Sequence, residues 1–226
     1  MKVWTLAGKF VQTLREDGLR TIFRKALARI KPPLAQDSFD LRHGTDTGGL
    51  EPLWKFHIRS PNKSLGFCYQ PTEEQELVDA VNFLHEDLQA FTFVDLGCGK
   101  GRALLVASNL GFEQLIGVEF ARELAGIAKA NLEKMRIANA SVIQSDAADF
   151  HFPDIDTVVF LNNPFGREVM RKVVANLRTI RAGRLYVIYR VPMCPDAFDG
   201  SDFLGRFGSL PGKSHVLIWR KVERSG

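Results

Sequence analysis

Short apolar runs alternate with amphipathic segments from about residue 72 onward. The apolar runs have the length and β-branched content of buried strands, and the longer segments keep helical spacing. The predicted strands are FTFVDLG (91–97), QLIGVE (114–119), ASVIQSD (140–146), DTVVFLN (156–162), RLYVIYR (184–190) and SHVLIWRKV (214–222). Strand and helix in alternation predict an α/β fold built on a doubly wound, mostly parallel sheet.

Four helices are predicted before and between these strands. The first covers TEEQELVDAVNFLHEDL (72–88), and Thr72 with Gln75 has the spacing of a capping box at its start. The second begins at about Arg102, and the others cover ARELAGIAKANLEKM (121–135) and REVMRKVVANLRTI (167–180). In a doubly wound sheet, ligands bind beyond the carboxyl ends of the strands, so the residues just past each strand are the candidates for function.

Two further zones precede this domain. Residues 1–34 form a predicted helical arm with eight basic and two acidic residues, which gives it +6, whereas the whole chain carries +4. The arm either packs its apolar stripe on the domain or contacts an anionic membrane or RNA weakly. Residues 35–71 are rich in turn-forming residues and predict a lid or connector. Residues 72–226 are the predicted cofactor-binding domain.

The composition is that of a globular protein, with 226 residues of which 45% are hydrophobic and 25% charged. No apolar run is long enough to cross a bilayer, and the start of the chain has no convincing signal peptide. Three widely spaced cysteines predict neither a disulfide framework nor a metal site. The expectation is a cytoplasmic protein, peripheral to the membrane if the arm binds it, with no metal.

The loop after the first strand, DLGCGKG, places glycines at positions 97, 99 and 101. Glycines let the backbone turn sharply and approach a ligand closely. The loop fails the dinucleotide fingerprint G-x-G-x-x-G/A, because Arg102 holds the third position, and it lacks the spacing of a phosphate-binding P-loop. Asp95 beside it suits a ligand that carries a positive charge, such as an amino group.

VDLGCGKG resembles the glycine-rich first motif of class I S-adenosylmethionine-dependent methyltransferases, E/D-x-G-x-G-x-G. The resemblance extends from about Tyr69 to Val222 and implies a seven-stranded sheet with S-adenosylmethionine as the cofactor. It implies that Glu119, after the second strand, binds the ribose hydroxyls. It also implies that Asp146 reads the adenine amino group and that the backbone of Ala147 reads the ring.

Two other segments have narrower resemblances. YQPT, from Tyr69 to Thr72, is similar to the Y-x-P-T segment of some protein-lysine methyltransferases, where the loop closes on the methionine end of the cofactor. FDLRHGTDTGG (39–49) is similar to a branch of bacterial proteins known only as S-adenosylmethionine-dependent methyltransferases. Neither resemblance identifies a methyl acceptor.

NNPF, at the end of the fourth strand, resembles the D/N-P-P-Y/F motif of amino-directed methyltransferases. Asn162, Pro164 and Phe165 match this motif, with the Asn162 amide bonding the target amine and the Phe165 ring packing on it. Asn163 departs from the usual proline. We favour Asn162 as the functional amide, at the reaction centre and beside the cofactor. In relatives that carry only NPF, the functional amide would be Asn163.

These residues favour an enzyme that transfers methyl to a nitrogen of a protein lysine or amide, a nucleic-acid base or a small amine. The alternatives are a small-molecule O- or C-methyltransferase and a catalytically silent module that binds S-adenosylmethionine. The five histidines form no catalytic arrangement in the sequence, and Tyr186, Tyr189 and Arg190 on the fifth strand are better explained as structural residues.

Overall fold

A computed structural model describes residues 37–181 and 183–222 of the chain. The strands are β1 Thr92–Leu96, β2 Gln114–Glu119, β3 Ala140–Gln144, β4 Thr157–Asn162, β5 Leu185–Arg190, β6 Leu204–Leu210 and β7 Lys213–Lys221. The helices are α1 Ser38–His43, α2 Glu74–Asn82, α3 Arg102–Ala107, α4 Arg122–Lys134, α5 Arg167–Leu177 and α6 Asp196–Asp199. Short 3₁₀ turns cover Leu53–Lys55, Pro61–Leu65, Leu88–Ala90 and Ala147–Asp149.

All seven strands belong to one sheet with the order β3-β2-β1-β4-β5-β7-β6. Strands β1 to β5 are parallel, β7 runs antiparallel to β5, and β6 pairs with β7. The strand order reverses between β1 and β4, which is the switch point where doubly wound sheets bind their ligands. The glycine loop and the Asn-Asn-Pro-Phe segment therefore follow adjacent strands.

The predicted fold class is confirmed, including the mostly parallel sheet of seven strands. Six of the strands lie where their apolar runs predicted them. The seventh strand, β6, has the sequence LGRFGSL. Its glycines and polar residues interrupt the apolar run that would have predicted a strand. It is held as an edge strand by its pairing with β7. The predicted helical arm, residues 1–34, lies outside the described residues.

The capping-box prediction at Thr72 is wrong. Helix α2 begins at Glu74 and its N-cap residue, Glu73, makes no side-chain capping bond. Thr72 is buried, and its hydroxyl accepts a bond from Asn162 instead. The helix is also shorter than predicted, because its last turn gives way to a loop in which His85 has a positive φ of 55°.

Alternate residues of each central strand point to opposite faces of the sheet, and each face has its own core. Phe93 and Phe160 pack against the α3 side together with Leu104. Val94 and Leu161 lie in the other core, against the α5 side. Helices cover both faces, so the central strands are rigid supports for the loops at their carboxyl ends.

Residues 37–49, which we call the anchor segment, are fixed to the domain by a polar network. The Asp40 carboxylate accepts bonds from the Thr45 and Thr47 hydroxyls and from the backbone of Thr47 and Gly48, at 2.6–2.8 Å. Arg102 donates to the Thr47 hydroxyl at 2.8 Å. The network gives the HGTDTGG sequence a structural role. The division of the chain at residues 34 and 71 stays a prediction.

Candidate cofactor and active site

A small cavity lies at the carboxyl ends of β1, β2 and β4. It is lined by the glycine loop, by acids of β1 and β2, by the Asn-Asn-Pro-Phe segment and by residues 67–72. Of the residues singled out in the sequence, those that line it are Tyr69, Thr72, Asp95, Gly97, Gly99, Glu119, Asn162, Asn163, Pro164 and Phe165. The sheet therefore brings together residues that are up to 96 positions apart.

The glycine loop needs glycine at two cavity-lining positions. Gly97 and Gly99 have φ angles of 78° and 55°, in the left-handed region that other residues avoid. A Cβ atom on Gly97 would lie 2.6 Å from the Pro164 side chain, and one on Gly99 would lie 2.2 Å from the Tyr69 ring. Gly101 also has a positive φ, of 87°, and it begins helix α3 with its backbone close to α4.

Asp95 and Glu119 form a buried pair of acids beneath the loop. Burial, reinforced by the neighbouring Glu119 charge, raises the pKa of Asp95 to about 8. Burial also raises the pKa of Glu119 to about 7, although the backbone amides of Ala121 and Gly99 bond its carboxylate at 2.8 and 2.9 Å. Such shifts are typical of sites that bind charged ligands.

Asp146 lies past the end of β3, next to the buried Ala147. One carboxylate oxygen accepts the amide of Ala148 at 2.8 Å. The other accepts the side chains of Ser60 and Asn62, the latter at 2.9 Å. Asp146 is thus covered by a segment far away in the sequence, although it stands at the position that the resemblance assigns to adenine recognition.

Asn162 uses its amide within the protein. Its side-chain oxygen accepts a bond from Arg190 at 3.0 Å, and its nitrogen donates to the Gln70 carbonyl at 3.2 Å and to the Thr72 hydroxyl at 3.4 Å. Arg190 is held in turn by Glu76, at 2.5 Å. Asn162 and Arg190 are register partners at the ends of β4 and β5.

Asn163 differs from Asn162 in its hydrogen bonding and its backbone conformation. It is 4% exposed, and its side-chain oxygen has no hydrogen-bond partner among the described residues. Its φ is 46°, and Val191, which follows Arg190 on the neighbouring strand, has a φ of 49°. Positive φ angles in non-glycine residues, above all a β-branched one, are strained and concentrate at functional sites. The buried Phe165 ring lies beside it in the cavity wall.

Tyr69 connects the anchor segment to the cavity. Its hydroxyl donates to the Thr47 carbonyl at 2.5 Å, and its ring lies against Gly99. Burial raises its pKa well above the usual value, so the phenol stays neutral. Tyr69 therefore closes the cavity at the glycine loop.

Four polar residues near the site were not predicted, namely Ser60, Asn62, Gln70 and Arg190 as a partner of Asn162. Ser60 and Asn62 belong to the RSPNKS turn, which has the composition of an ordinary surface loop. The pairing of β4 with β5 could have suggested Arg190 as a partner of Asn162, because Asn162 ends β4 and Arg190 ends β5. The contacts of the turn with Asp146 have no signal in the sequence.

Comparison with known proteins agrees with this geometry. Residues 93–181 match the profile of a methyltransferase domain family. This match places a methyltransferase domain in the central part of the chain. A curated relative, the uncharacterised protein MJ0284 of Methanocaldococcus jannaschii, is 30% identical over 131 residues. The alignment covers 56% of this chain and 56% of that relative.

Solved structures share the methyltransferase fold. A proposed RNA methyltransferase from Pyrococcus horikoshii superposes with a TM-score of 0.55 at 19% identity, covering 84% of this chain and all of that one. A proposed N6-adenine-specific DNA methylase from Listeria monocytogenes gives 0.53 at 16% identity, covering 67% of this chain and 51% of the other. At these identities the likeness concerns the fold.

The cofactor of class I methyltransferases is S-adenosylmethionine, and the donor set of the cavity fits it in chemistry. A carboxylate can accept about four hydrogen bonds. Glu119, in the cavity wall, accepts bonds from the Gly99 and Ala121 amides and can accept more. Asp146 lies outside the cavity lining and already accepts three bonds, two of them from Ser60 and Asn62. The volume does not fit, because the cavity measures about 50 Å³. Ligand pockets of drug-sized molecules hold roughly 300–1,000 Å³.

Residues 37–181 and 183–222 contain no group of three or more His, Cys, Asp or Glu side chains placed to hold a metal ion. No helix within the same ranges has the length and apolar character needed to cross a membrane. The expected contact of the arm with a membrane or RNA falls on residues outside these ranges.

Proposed function

We propose that the chain is an S-adenosylmethionine-dependent methyltransferase whose acceptor atom is a nitrogen. The observation that carries the proposal is the side-chain oxygen of Asn163, buried at the cavity and without a partner among the described residues. An unpaired buried acceptor costs about 1–3 kcal/mol. A ligand that donates an N–H group to it would recover that free energy at the reaction centre.

The residues that we assign to cofactor binding lie at or just after the ends of β1, β2 and β3. Glu119 would bind the ribose hydroxyls, Asp146 with Ala147 the adenine, and Asp95 the amino group of the methionine end. Gly97 and Gly99 allow the close approach, and Gly101 supports the turn into α3. Bound S-adenosylmethionine would supply an electrophilic methyl group on a sulfonium sulfur, so the protein has mainly to hold the acceptor in line and dry.

Asn163 would orient the acceptor. Its side-chain oxygen would accept an N–H bond, which turns the nitrogen lone pair toward the methyl group and stabilises the positive charge that develops on nitrogen. Pro164 fixes the loop, and Phe165 provides an apolar wall against the acceptor. We give Asn162 a positioning role, because Arg190 already occupies its oxygen.

The amide favours nitrogen over the alternatives. O-methylation requires deprotonation of a hydroxyl, for which a general base is expected. The acids that line the cavity, Asp95 and Glu119, are those proposed to bind the cofactor, and the lining includes no histidine or lysine to serve as that base. A silent cofactor-binding module would have no use for an unpaired acceptor at a strained strand end. The acceptor can still be a protein, a nucleic acid or a small amine.

Incubation of the full chain with methyl-labelled S-adenosylmethionine and a fractionated lysate tests the proposal. We expect label in one class of acceptor, and we expect protease or nuclease treatment to show which class it is. No transfer into any fraction by a protein that binds the cofactor would favour the silent module.

A further inference from the structure

An Ω-shaped loop lies across the mouth of the cofactor cavity. Residues 52–68, which we call the lid, leave and return through a backbone pair between Glu51 and Tyr69, at 2.8 and 3.1 Å. Compact loops whose ends meet in this way are often functional. Tyr69 is fixed at the base of the lid by the anchor segment.

The lid touches three strand ends. On the β2 side, the backbone N–H of His57 donates to Glu123 at 3.0 Å. Past β3, Ser60 and Asn62 both donate to Asp146. Past β4, Gly166 donates to the Leu65 carbonyl at 2.8 Å and Phe67 donates to the Pro164 carbonyl at 3.1 Å.

These contacts occupy the adenine side of the proposed cofactor site. Asn62 belongs to a surface loop but is only 8% exposed, and its side-chain amide donates a hydrogen bond to Asp146. The lid also covers Phe120, because a Cβ atom on Gly66 would lie 2.8 Å from its ring. Three lid residues, Leu53, Phe67 and Cys68, line the neighbouring cavity, whose volume of about 50 Å³ is too small for a nucleoside.

We propose that the lid excludes the cofactor when closed, and that Ser60 and Asn62 hold it closed by occupying Asp146. This inference rests on the proposed function, because it takes Asp146 as part of the cofactor site. Binding then requires the lid to lift, which exchanges the bonds from Ser60 and Asn62 for bonds from adenine. The lid sets the rate at which cofactor enters and product leaves.

The ends of the lid are suited to such a motion. Gly49 has a φ of 88°, and a Cβ atom there would meet only the end of the Glu51 side chain, at 3.6 Å. Beyond it the anchor segment is tied down through Asp40 and Asn131. At the other end, Tyr69 and Thr72 are buried. The lid can therefore move between two fixed points.

A disulfide staple tests the proposal. A Cβ atom built on Gly166 lies 3.8 Å from the Leu65 Cβ, which is the usual separation in a disulfide. The variant Leu65→Cys/Gly166→Cys, made with Cys68→Ser, is mixed with S-adenosylhomocysteine in a stopped-flow instrument. We expect association at least tenfold slower in the oxidised than in the reduced protein. The matched control, Leu65→Cys with Cys68→Ser, should associate equally in both conditions.

The second variant releases the lid. Ser60→Ala/Asn62→Ala should bind S-adenosylhomocysteine faster and at least threefold more tightly, because the closed state loses its bonds to Asp146. Equal association rates in the oxidised and reduced Leu65→Cys/Gly166→Cys protein would contradict the proposal that the lid controls cofactor entry. Weaker binding by Ser60→Ala/Asn62→Ala would show that these residues hold cofactor and not the lid. A wild-type protein that binds no S-adenosylhomocysteine would contradict the proposed function itself, and the gate with it.

Discussion

Asn163 combines a buried acceptor without a partner and a left-handed backbone, and each lowers stability. Such a residue is explained more readily by function than by packing. The neighbouring Asn162 has every polar atom engaged and fits a structural role. We therefore propose different roles for the two adjacent amides, which their sequence alone leaves open.

Asn163→Gly separates stability from function. Glycine adopts a positive φ without strain and removes the unpaired oxygen, so we expect a melting temperature no lower than that of the wild type. We expect kcat for the labelled acceptor to fall by about 10²-fold, as for other positioned polar groups. Asn139→Ala, which removes an amide bonded to the Phe112 carbonyl, is the control that should keep kcat. A fully active Asn163→Gly would exclude the acceptor role.

The raised pKa values of Asp95 and Glu119 predict a pH dependence. A carboxyl whose folded pKa is raised stabilises the protein at low pH and loses that contribution as pH rises through the folded value. For Asp95 this stabilisation is lost between its ordinary pKa of 3.8 and its folded pKa of about 8. We expect the stability of the free protein to fall across this window, and Asp95→Asn to remove part of the fall. Chemical denaturation between pH 5 and 9 measures it.

Cofactor binding should show the reverse dependence. S-adenosylmethionine carries positive charge on its sulfonium and its amino group, which favours the ionised Asp95. Affinity should therefore rise between pH 6 and 8, with release of protons on binding. Calorimetry in buffers of different ionisation enthalpy would detect this release. Affinity independent of pH would argue that Asp95 does not meet the charged end of the cofactor.

At the scale of elements, the glycine loop shows what the sequence predicts well, and the edge strand β6 shows what it does not. Motifs carried by buried parallel strands could be placed, because an apolar run fixes both the strand and its end. Strand β6 could not, because its pairing with β7 and not its composition makes it a strand. The composition of residues 35–71 predicted a lid or connector, but not the contact of Asn62 with Asp146, which depends on the tertiary fold.

The geometry of the glycine loop predicts that alanine at two different glycines will have different effects on cofactor affinity. Gly99 and Gly111 both have positive φ, 55° and 91°, so alanine at either site should cost about 1–2 kcal/mol of stability. Only at Gly99 does the new Cβ atom meet another group, the Tyr69 ring. We expect Gly99→Ala to lower the affinity for S-adenosylhomocysteine at least tenfold and Gly111→Ala to leave it unchanged. Equal affinities would place the cofactor elsewhere.

At the scale of the whole molecule, one sheet supports the cofactor loops, the acceptor loop and the lid. A ligand that binds only the folded state stabilises it by about 2.7 kcal/mol at 100 times its Kd. For a domain of this size that corresponds to roughly 5–11 °C in melting temperature. We expect such a shift with S-adenosylhomocysteine and none with NAD, which thermal melting can measure. A shift with NAD alone would reverse the assignment.

The proposed function is tested most directly by the chemical position of the transferred methyl group. Methyl-labelled S-adenosylmethionine, the labelled acceptor fraction and mass spectrometry of its hydrolysate identify the atom that carries the label. We predict a methyl group on nitrogen, with transfer lost in Asn163→Gly and retained in Asn139→Ala. A methyl group on oxygen or carbon, or transfer unaffected by the loss of the Asn163 amide, would contradict it.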